Sequence, residues 1–211
     1  DQAVAQGHIG HILIRGENVT RGYFEDPESN AATITAEGWV RTGDLGLFDD
    51  GDLYITGRAK EIIFVNGQNY YPHDLESIAL RAPRLELGKI VAAGVRPRGA
   101  QADQLVVFIL HRSDMADFLP TATEVTRLIN EHTGLEVAEV VPVKRIPKTT
   151  SGKIQRHLLE ESYVEGEFTA AISQLEEVCR LLLREVALVA SDQSLREALH
   201  KALLFLAHGY L

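Results

Sequence analysis

The stretch Gly57–Ser77, GRAKEIIFVNGQNYYPHDLES, decides how the chain is built. Its middle, EIIFVNGQNYYP, sets an apolar run before Asn66-Gly67 and an aromatic one after it. Asn-Gly tolerates two consecutive positive φ angles, so a tight hairpin of the I′ type is expected there. Pro72 then stands at the first position of a helix through DLESIALRA, where its missing N–H costs nothing. On the other side, Arg58-Ala59-Lys60 reads as the crossing between two compact units. It is either a plain linker or a hinge in which one or two residues absorb a large dihedral change.

Toward the N-terminus, GWVRTGDLGLFDDGDLYITGR gives two β-rich runs joined by a DDG turn. Before them HIGHILI reads as a strand, and GYFEDPESNAATI as a short helix entered at Pro27. Toward the C-terminus, KIVAAGV and QLVVFIL read as buried strands. A helix is expected over 122–132, with Leu128 and Ile129 inward and Gly134 as its stop, then the strand EVAEVVPVKRI and the loop PKTTSGK. From Phe168 helix formers dominate: Leu175, Val178, Leu182 and Val186 draw an apolar stripe, and Leu195 to Ala207 suggests a second helix. The expectation is a mixed α/β (α+β) chain. Residues 1–58 form a small β-rich piece, 59–166 a compact domain with a central sheet of about three strands and flanking helices, and 167–211 a helical tail.

The formal net charge of -9 argues against a nucleic-acid surface, which needs lysine and arginine in local excess. Cys179 is the single cysteine, which excludes an intramolecular disulfide and a cysteine zinc cluster and fits a reducing compartment. On the apolar stripe with no histidine beside it in sequence, it reads as packing rather than as a nucleophile. No stretch approaches the roughly 18 apolar residues of a membrane span. A soluble cytoplasmic protein is expected. The chain opens without Met and enters a strand pattern within a few residues, which suggests a piece of something longer.

Three short motifs bear on chemistry. In KTTSGKIQR, Lys148–Arg156, the pair Gly152-Lys153 is followed by Ile154, so the hydroxyl that a phosphate-cradling GxxxxGK[ST] loop needs is missing. Such a loop can instead deliver one lysine as a point charge beside developing negative charge. In isolation it would be a solvated surface loop. In Thr42-Gly43-Asp44, followed after a hairpin by Gly57-Arg58, the carboxylate could accept from vicinal hydroxyls while the arginine bridges the same sugar or its phosphate. Each alone would be an ordinary turn residue or surface cation. The third motif is the Gly57–Ser77 stretch itself.

Taken in order, these motifs resemble the C-terminal part of the adenylate-forming acyl-activating enzymes, the superfamily of acyl-CoA synthetases, nonribosomal peptide adenylation domains and luciferases. The residues that carry the likeness are Gly38 to Asp44 (GWVRTGD), Gly57 to Ile63 (GRAKEII) and Pro147 to Ile154 (PKTTSGKI). It runs from about Gly7 to Tyr163. GQNYYPHDLE, Gly67 to Glu76, is similar to the Asn-x-Tyr-Pro-x-Asp-[IL]-Glu pattern of fatty acyl-AMP ligases and of the loading modules of polyketide and peptide synthetases. Acyl-CoA synthetases more often carry a variant only a few changes away.

The resemblance implies two half-reactions: a carboxylate attacks the α-phosphate of ATP to give an acyl-adenylate and pyrophosphate, and a thiol then takes the acyl group. By position Asp44 would bind the ribose hydroxyls, with Arg58 in support. Lys153 would be the catalytic lysine between carboxylate and α-phosphate, acting on rate more than on binding. It would ride on a mobile loop. Lys60 would be the hinge whose rotation exchanges Lys153 for the acceptor-side hairpin of Gly67, Gln68, Asn69 and Tyr70. His73 at the hairpin–helix junction could face the acceptor thiol, while the other seven histidines show no ligand spacing. Magnesium would accompany ATP, although no metal-ligand cluster is legible. The implied partners are a fatty acid, the phosphopantetheine of an acyl carrier protein or coenzyme A, and an N-terminal large domain holding the phosphate loop and acyl pocket. Without that domain the chain would adenylate nothing, and a non-catalytic docking module is the alternative. LEEVCRLLLREV followed by ASDQSLREAL resembles the start of an acyl carrier domain, but the Gly-x-Asp-Ser-Leu that should follow is absent, and Ser191 and Ser194 are poor replacements. A family-specific extension, a docking helix or an oligomerisation element is the other reading of the tail.

Overall fold

In the computed structural model, which describes residues 2–97 and 99–189, the chain begins with a three-stranded antiparallel sheet of order β1-β2-β3. Its strands are β1 (Gly10–Ile14), β2 (Val40–Asp49) and β3 (Asp52–Arg58). The β2–β3 turn is the DDG signal, with Asp50 at φ 47 and Gly51 at φ 90, the positive angles that a tight hairpin demands. Helix α1 (Pro27–Thr33) starts where Asp26 accepts from the Ser29 N–H at 2.9 Å and Pro27 fills the first helical turn. Between Leu45 and Gly46 the β2–β3 register shifts by a bulge. Gly46 is required there, because a Cβ would stand 2.5 Å from the Tyr54 carbonyl oxygen.

The chain divides into two compact units between Ile62 and Ile63, just after a 3-10 turn at Ala59–Glu61. The first unit has almost no interior. Among its described residues Val40 is the one buried apolar side chain, while Phe24 is 90% and Ile55 65% exposed.

The second unit opens with the hairpin β4 (Ile63–Val65) and β5 (Gln68–Tyr70), turned by Asn66 at φ 53 and Gly67 at φ 79 as a I′ turn requires. Helix α2 (Pro72–Ala79) follows at the expected proline. A second sheet then forms in the order β6-β7-β8, from β6 (Ile90–Val95), β7 (Gln104–Leu110) and β8 (Val137–Val143). β6 runs antiparallel and β7 parallel to its next neighbour, the latter because helix α3 (Met115–Thr133) carries the chain across. This helix begins seven residues before the sequence-based start at 122. Pro120 breaks the helical signal, yet Met115, Phe118, Leu119, Ala122, Val125 and Ile129 continue one buried face through it. Asp114 caps it by accepting from the Ala116 N–H, and Gly134 ends it at φ 71.

Alternation along the strands feeds two cores. Ile90, Ala92, Val107 and Ile109 pack under α2 and α3, and Val91, Ala93, Val106 and Phe108 pack under helix α4 (Arg156–Val164). Helix α5 (Thr169–Val189) closes both: Phe168 and Ile172 join the second core, and Leu175, Val178 and Cys179 the first. Residue 167 is therefore not an edge of the packed unit, because apolar residues past it complete the cores. Of the expected stripe, Leu175 is buried, Val178 packs partly against the core and Leu182 is 39% exposed, while the side chain of Val186 lies outside the described residues. Ser191, Ser194 and the second helical stretch, Leu195 to Ala207, lie outside the described residues. Among described residues no helix is long and apolar enough to cross a membrane.

Glu139 on β8 is buried, and burial above all, then the nearby Glu176, pushes its carboxyl above the ordinary range, while the Tyr163 hydroxyl hydrogen-bonded to it works the other way. Burial raises the Cys179 thiol too, in line with a packing role.

Candidate functional site

Asp44 and Arg58 are cross-strand partners in the β2–β3 ladder. Arg58 Nε stands 3.2 Å from Asp44 Oδ1, with side chains 52% and 27% exposed. Gly43, at φ 81, turns the strand immediately before Asp44, and Thr42 fixes that turn. The Thr42 hydroxyl donates to the Ile12 carbonyl at 2.9 Å and accepts from the Asp44 N–H at 3.0 Å. A carboxylate offers about four acceptor sites, so Asp44 keeps accepting capacity toward a ligand beyond its contact with Arg58. Thr42-Gly43-Asp44 is thus a built turn that presents a carboxylate beside a guanidinium.

Lys60 sits in the middle of the 3-10 turn that precedes the division between the units. Past it, Gly67, Gln68 and Asn69 form the exposed tip and return strand of the β4–β5 hairpin, and Tyr70 leans on the core. The Tyr70 hydroxyl donates to Gln68 Oε1 at 2.7 Å, holding the two side chains together. His73, in the first turn of α2, stacks against Tyr71 with ring centroids 5.7 Å apart and lies 3.4 Å from Asp74 Oδ1.

Lys153 is carried by a loop that folds back on itself. The Thr149 N–H donates to the Lys153 carbonyl at 2.8 Å, the Lys153 N–H to the Thr149 hydroxyl at 3.1 Å, and the Gly152 N–H to the Thr149 carbonyl at 2.9 Å. Gly152 takes φ 85, a left-handed conformation that suits glycine. Three of the loop's amides, those of Thr149, Gly152 and Lys153, thus bond the loop's own oxygens, unlike the outward-facing amides of a phosphate cradle. The loop is an internally bonded hairpin. It presents the exposed Lys153 ammonium, for which the described residues show no ion-pair partner.

The sequence reading missed a buried ion pair beside this loop. Glu76 on α2 and Arg156, first residue of α4, meet with Arg156 Nη2 at 2.9 and 3.1 Å from the two carboxylate oxygens, and the side chains are 14% and 11% exposed. Glu76 also accepts from the Ala92 N–H of β6 at 3.0 Å. Both residues lie inside the quoted motifs, closing YPHDLE and GKIQR. Among the described residues no group of three or more His, Cys, Asp or Glu converges as a metal site.

Similar proteins give this arrangement a context. No family profile matches the chain. It is 32% identical over 204 residues to the long-chain-fatty-acid–AMP ligase FadD32 of Mycolicibacterium smegmatis, covering 78% of this chain and 32% of that protein. It is 35% identical over 181 residues to the 4-hydroxyphenylalkanoate adenylyltransferase of Mycobacterium tuberculosis, covering 77% and 29%. Among solved structures, that of McyG A-PCP complexed with phenylalanyl-adenylate superposes with TM-score 0.77 at 28% identity, over 90% of this chain and 30% of that one. A structure from the fatty acyl-adenylate ligases of E. coli and L. pneumophila gives TM-score 0.65 at 33% identity, over 79% and 30%. The chain thus spans about a third of the length of the curated relatives it matches. With its motifs standing in one order on this fold, the chain matches a C-terminal part of the adenylate-forming acyl-activating enzymes.

Proposed function

We propose that this chain is the C-terminal part of an ATP-dependent acyl-adenylating ligase that joins a fatty acid to AMP and passes the acyl group to the phosphopantetheine thiol of a carrier protein. The observation that carries the reading is Lys153: an exposed ammonium on a self-bonded loop, within the third motif of an ordered set whose first supplies Asp44 beside Arg58. Asp44 would accept from the ribose hydroxyls, with Arg58 in support. Lys153 would lie between the acyl carboxylate and the α-phosphate, where its charge offsets the negative charge that grows as the new P–O bond forms and pyrophosphate leaves. Because that charge is larger in the transition state than in the bound substrates, the lysine acts on kcat. Lys60 would serve as hinge, and the hairpin of Gly67, Gln68, Asn69 and Tyr70 as the acceptor-side lid.

Magnesium would arrive on the ATP phosphates, as it does when only one or two protein carboxylates contribute. The exposed apolar side chains of the first unit are in keeping with a large domain that covers them. The phosphate loop and acyl pocket would lie in that domain, and a cytoplasmic setting suits the substrates. A coenzyme A acceptor is the alternative, separated by giving the longer protein coenzyme A or a holo carrier protein. The test of the reading is ATP–pyrophosphate exchange by that longer protein with a panel of fatty acids. Lys153→Ala should cut kcat by about 100- to 1000-fold, the loss typical of one transition-state donor, with ATP affinity kept. Exchange that survives Lys153→Ala unchanged overturns the role of the lysine, and absence of exchange with every acid overturns the activity.

A further inference from the structure

The Lys153 loop is bonded mainly to itself, so its aim depends on what grips its two ends. On the entering side Ile146 is buried in the second core, and on the leaving side Ile154 packs partly against the same core. Such apolar contacts are non-directional: they hold the loop near the sheet without fixing which way its tip points. Arg156 supplies the direction. Its guanidinium spans both oxygens of Glu76, and the same carboxylate accepts the Ala92 N–H.

β6 is the end strand of its sheet, so alternate backbone N–H groups face away from the ladder. Glu76 takes one of these. It reaches it from α2, which lies on the first core, while Arg156 begins α4, which lies on the second. The ion pair therefore wraps the free edge of the sheet and ties the layers on its opposite faces. It also joins two working segments, because α2 is continuous with the hairpin and α4 with the Lys153 loop.

We propose that Glu76 and Arg156 form a clasp around the β6 edge which makes the hairpin and the Lys153 loop one rigid body, and that Arg156 is a positioning residue that aims Lys153. Its kinetic consequence rests on the adenylation reading above; its structural consequence does not. With the clasp closed, the loop cannot turn independently of the hairpin, so any motion that removes one from a reaction centre moves the other by the same rotation.

The test uses the longer protein that contains this chain. Removing one partner would leave a buried charge unpaired and risks unfolding, whereas an apolar pair of similar volume keeps the layers packed. The informative variant is thus Glu76→Leu with Arg156→Met. Expected are faster amide hydrogen exchange at Thr149, Gly152, Lys153 and Gln155 with β6–β8 unchanged, and a fall of about 100-fold in kcat for ATP–pyrophosphate exchange, the scale of a 1 Å misplacement. The KM for ATP should stay within about twofold, since uniform binding is untouched. In a Lys153→Ala background the same pair of substitutions should cost nothing more, because residues acting as one unit are not additive. A simple packing role would instead cost the same factor in both backgrounds, and that result overturns the proposal, as does wild-type amide exchange in the loop. If the double variant does not fold, Arg156→Lys, which keeps the charge and loses the fork, is measured in the same way. If the protein shows no pyrophosphate exchange with any acid, the adenylation reading falls while the loop amides still decide the clasp.

Discussion

Asp44→Asn separates a ligand-binding role for the Asp44–Arg58 pair from a structural one. The two side chains face each other at 3.2 Å and are 27% and 52% exposed. An ion pair in that much water contributes about 0–1 kcal/mol. The substitution keeps the shape of the side chain and leaves the ladder and the Gly43 turn intact, so the melting temperature should fall by no more than about 4–8 °C. The effect on a nucleotide is larger. A carboxylate accepting from two ribose hydroxyls forms charge-assisted hydrogen bonds worth about 1.5–3 kcal/mol each. An amide keeps one neutral acceptor oxygen and turns an N–H₂ toward a group that was donating. A net loss of about 2–4 kcal/mol is expected, which is roughly 30- to 1000-fold in Kd. Isothermal titration of the longer protein with a non-hydrolysable ATP analogue reads this directly. A Kd within threefold of wild type, with the melting temperature preserved, would refute the ribose contact. A collapse of the melting temperature would show that the pair holds the hairpin instead.

Phe108→Ala should destabilise the second unit by about 3–5 kcal/mol, measurable by urea unfolding. Phe108 is fully buried on the central strand and meets the Tyr163 and Phe168 rings at 6.1 and 5.6 Å, so truncation loosens both α4 and the entry to α5. Glu139→Gln tests the buried carboxyl. Because its folded-state pKa is raised, the native state binds more protons than the unfolded one above the ordinary carboxylate range, and stability falls as pH rises through that window. The variant should therefore melt higher than wild type at pH 7, with the gain vanishing below about pH 4, where both states carry the proton; an equal gain at both pH values would sink the assignment. Gly67→Ala should cost about 1–2 kcal/mol, purely as backbone strain at φ 79, since a Cβ there meets nothing within 4 Å. Urea unfolding that finds no loss would mean that the turn relaxes out of the I′ form.

What was legible in the sequence is what depends on neighbours along the chain. Asn66-Gly67, Asp50-Gly51 and Pro72 each act through their own backbone preferences, and each turn or helix start stands where those preferences put it. Asp44 and Arg58 were legible as a pair because one short hairpin brings them into register. Where tertiary packing outweighs a local signal, reading along the chain fell short. Pro120 broke the pattern of α3, but burial of Phe118, Leu119 and Ala122 outweighs a proline penalty of about 3 kcal/mol. The change of composition at Phe168 looked like a domain edge, yet what decides an edge is which cores the following side chains fill. Glu76 and Arg156 were invisible as a pair because 80 residues separate them, and a charge at either place looks like any solvated helix charge.

The two units also differ in how far their sequences specify structure unaided. In the second, strand alternation supplies two apolar faces and helices from three parts of the chain cover them, so burial of Phe108, Phe118, Ile129 and Val141 follows from contacts inside the unit. In the first, the strands carry Phe48, Leu53, Tyr54 and Ile55, each at least 44% exposed. Uncovered side chains of that size contribute little of the roughly 1.5–3 kcal/mol that full burial of each provides. The hairpin bonds, the Gly46 close approach and the Asp44–Arg58 pair then carry a larger share of the local order. On the proposed reading, ligand geometry at Asp44 should thus depend on a large domain covering this sheet, whereas the aim of Lys153 would be set within its own unit.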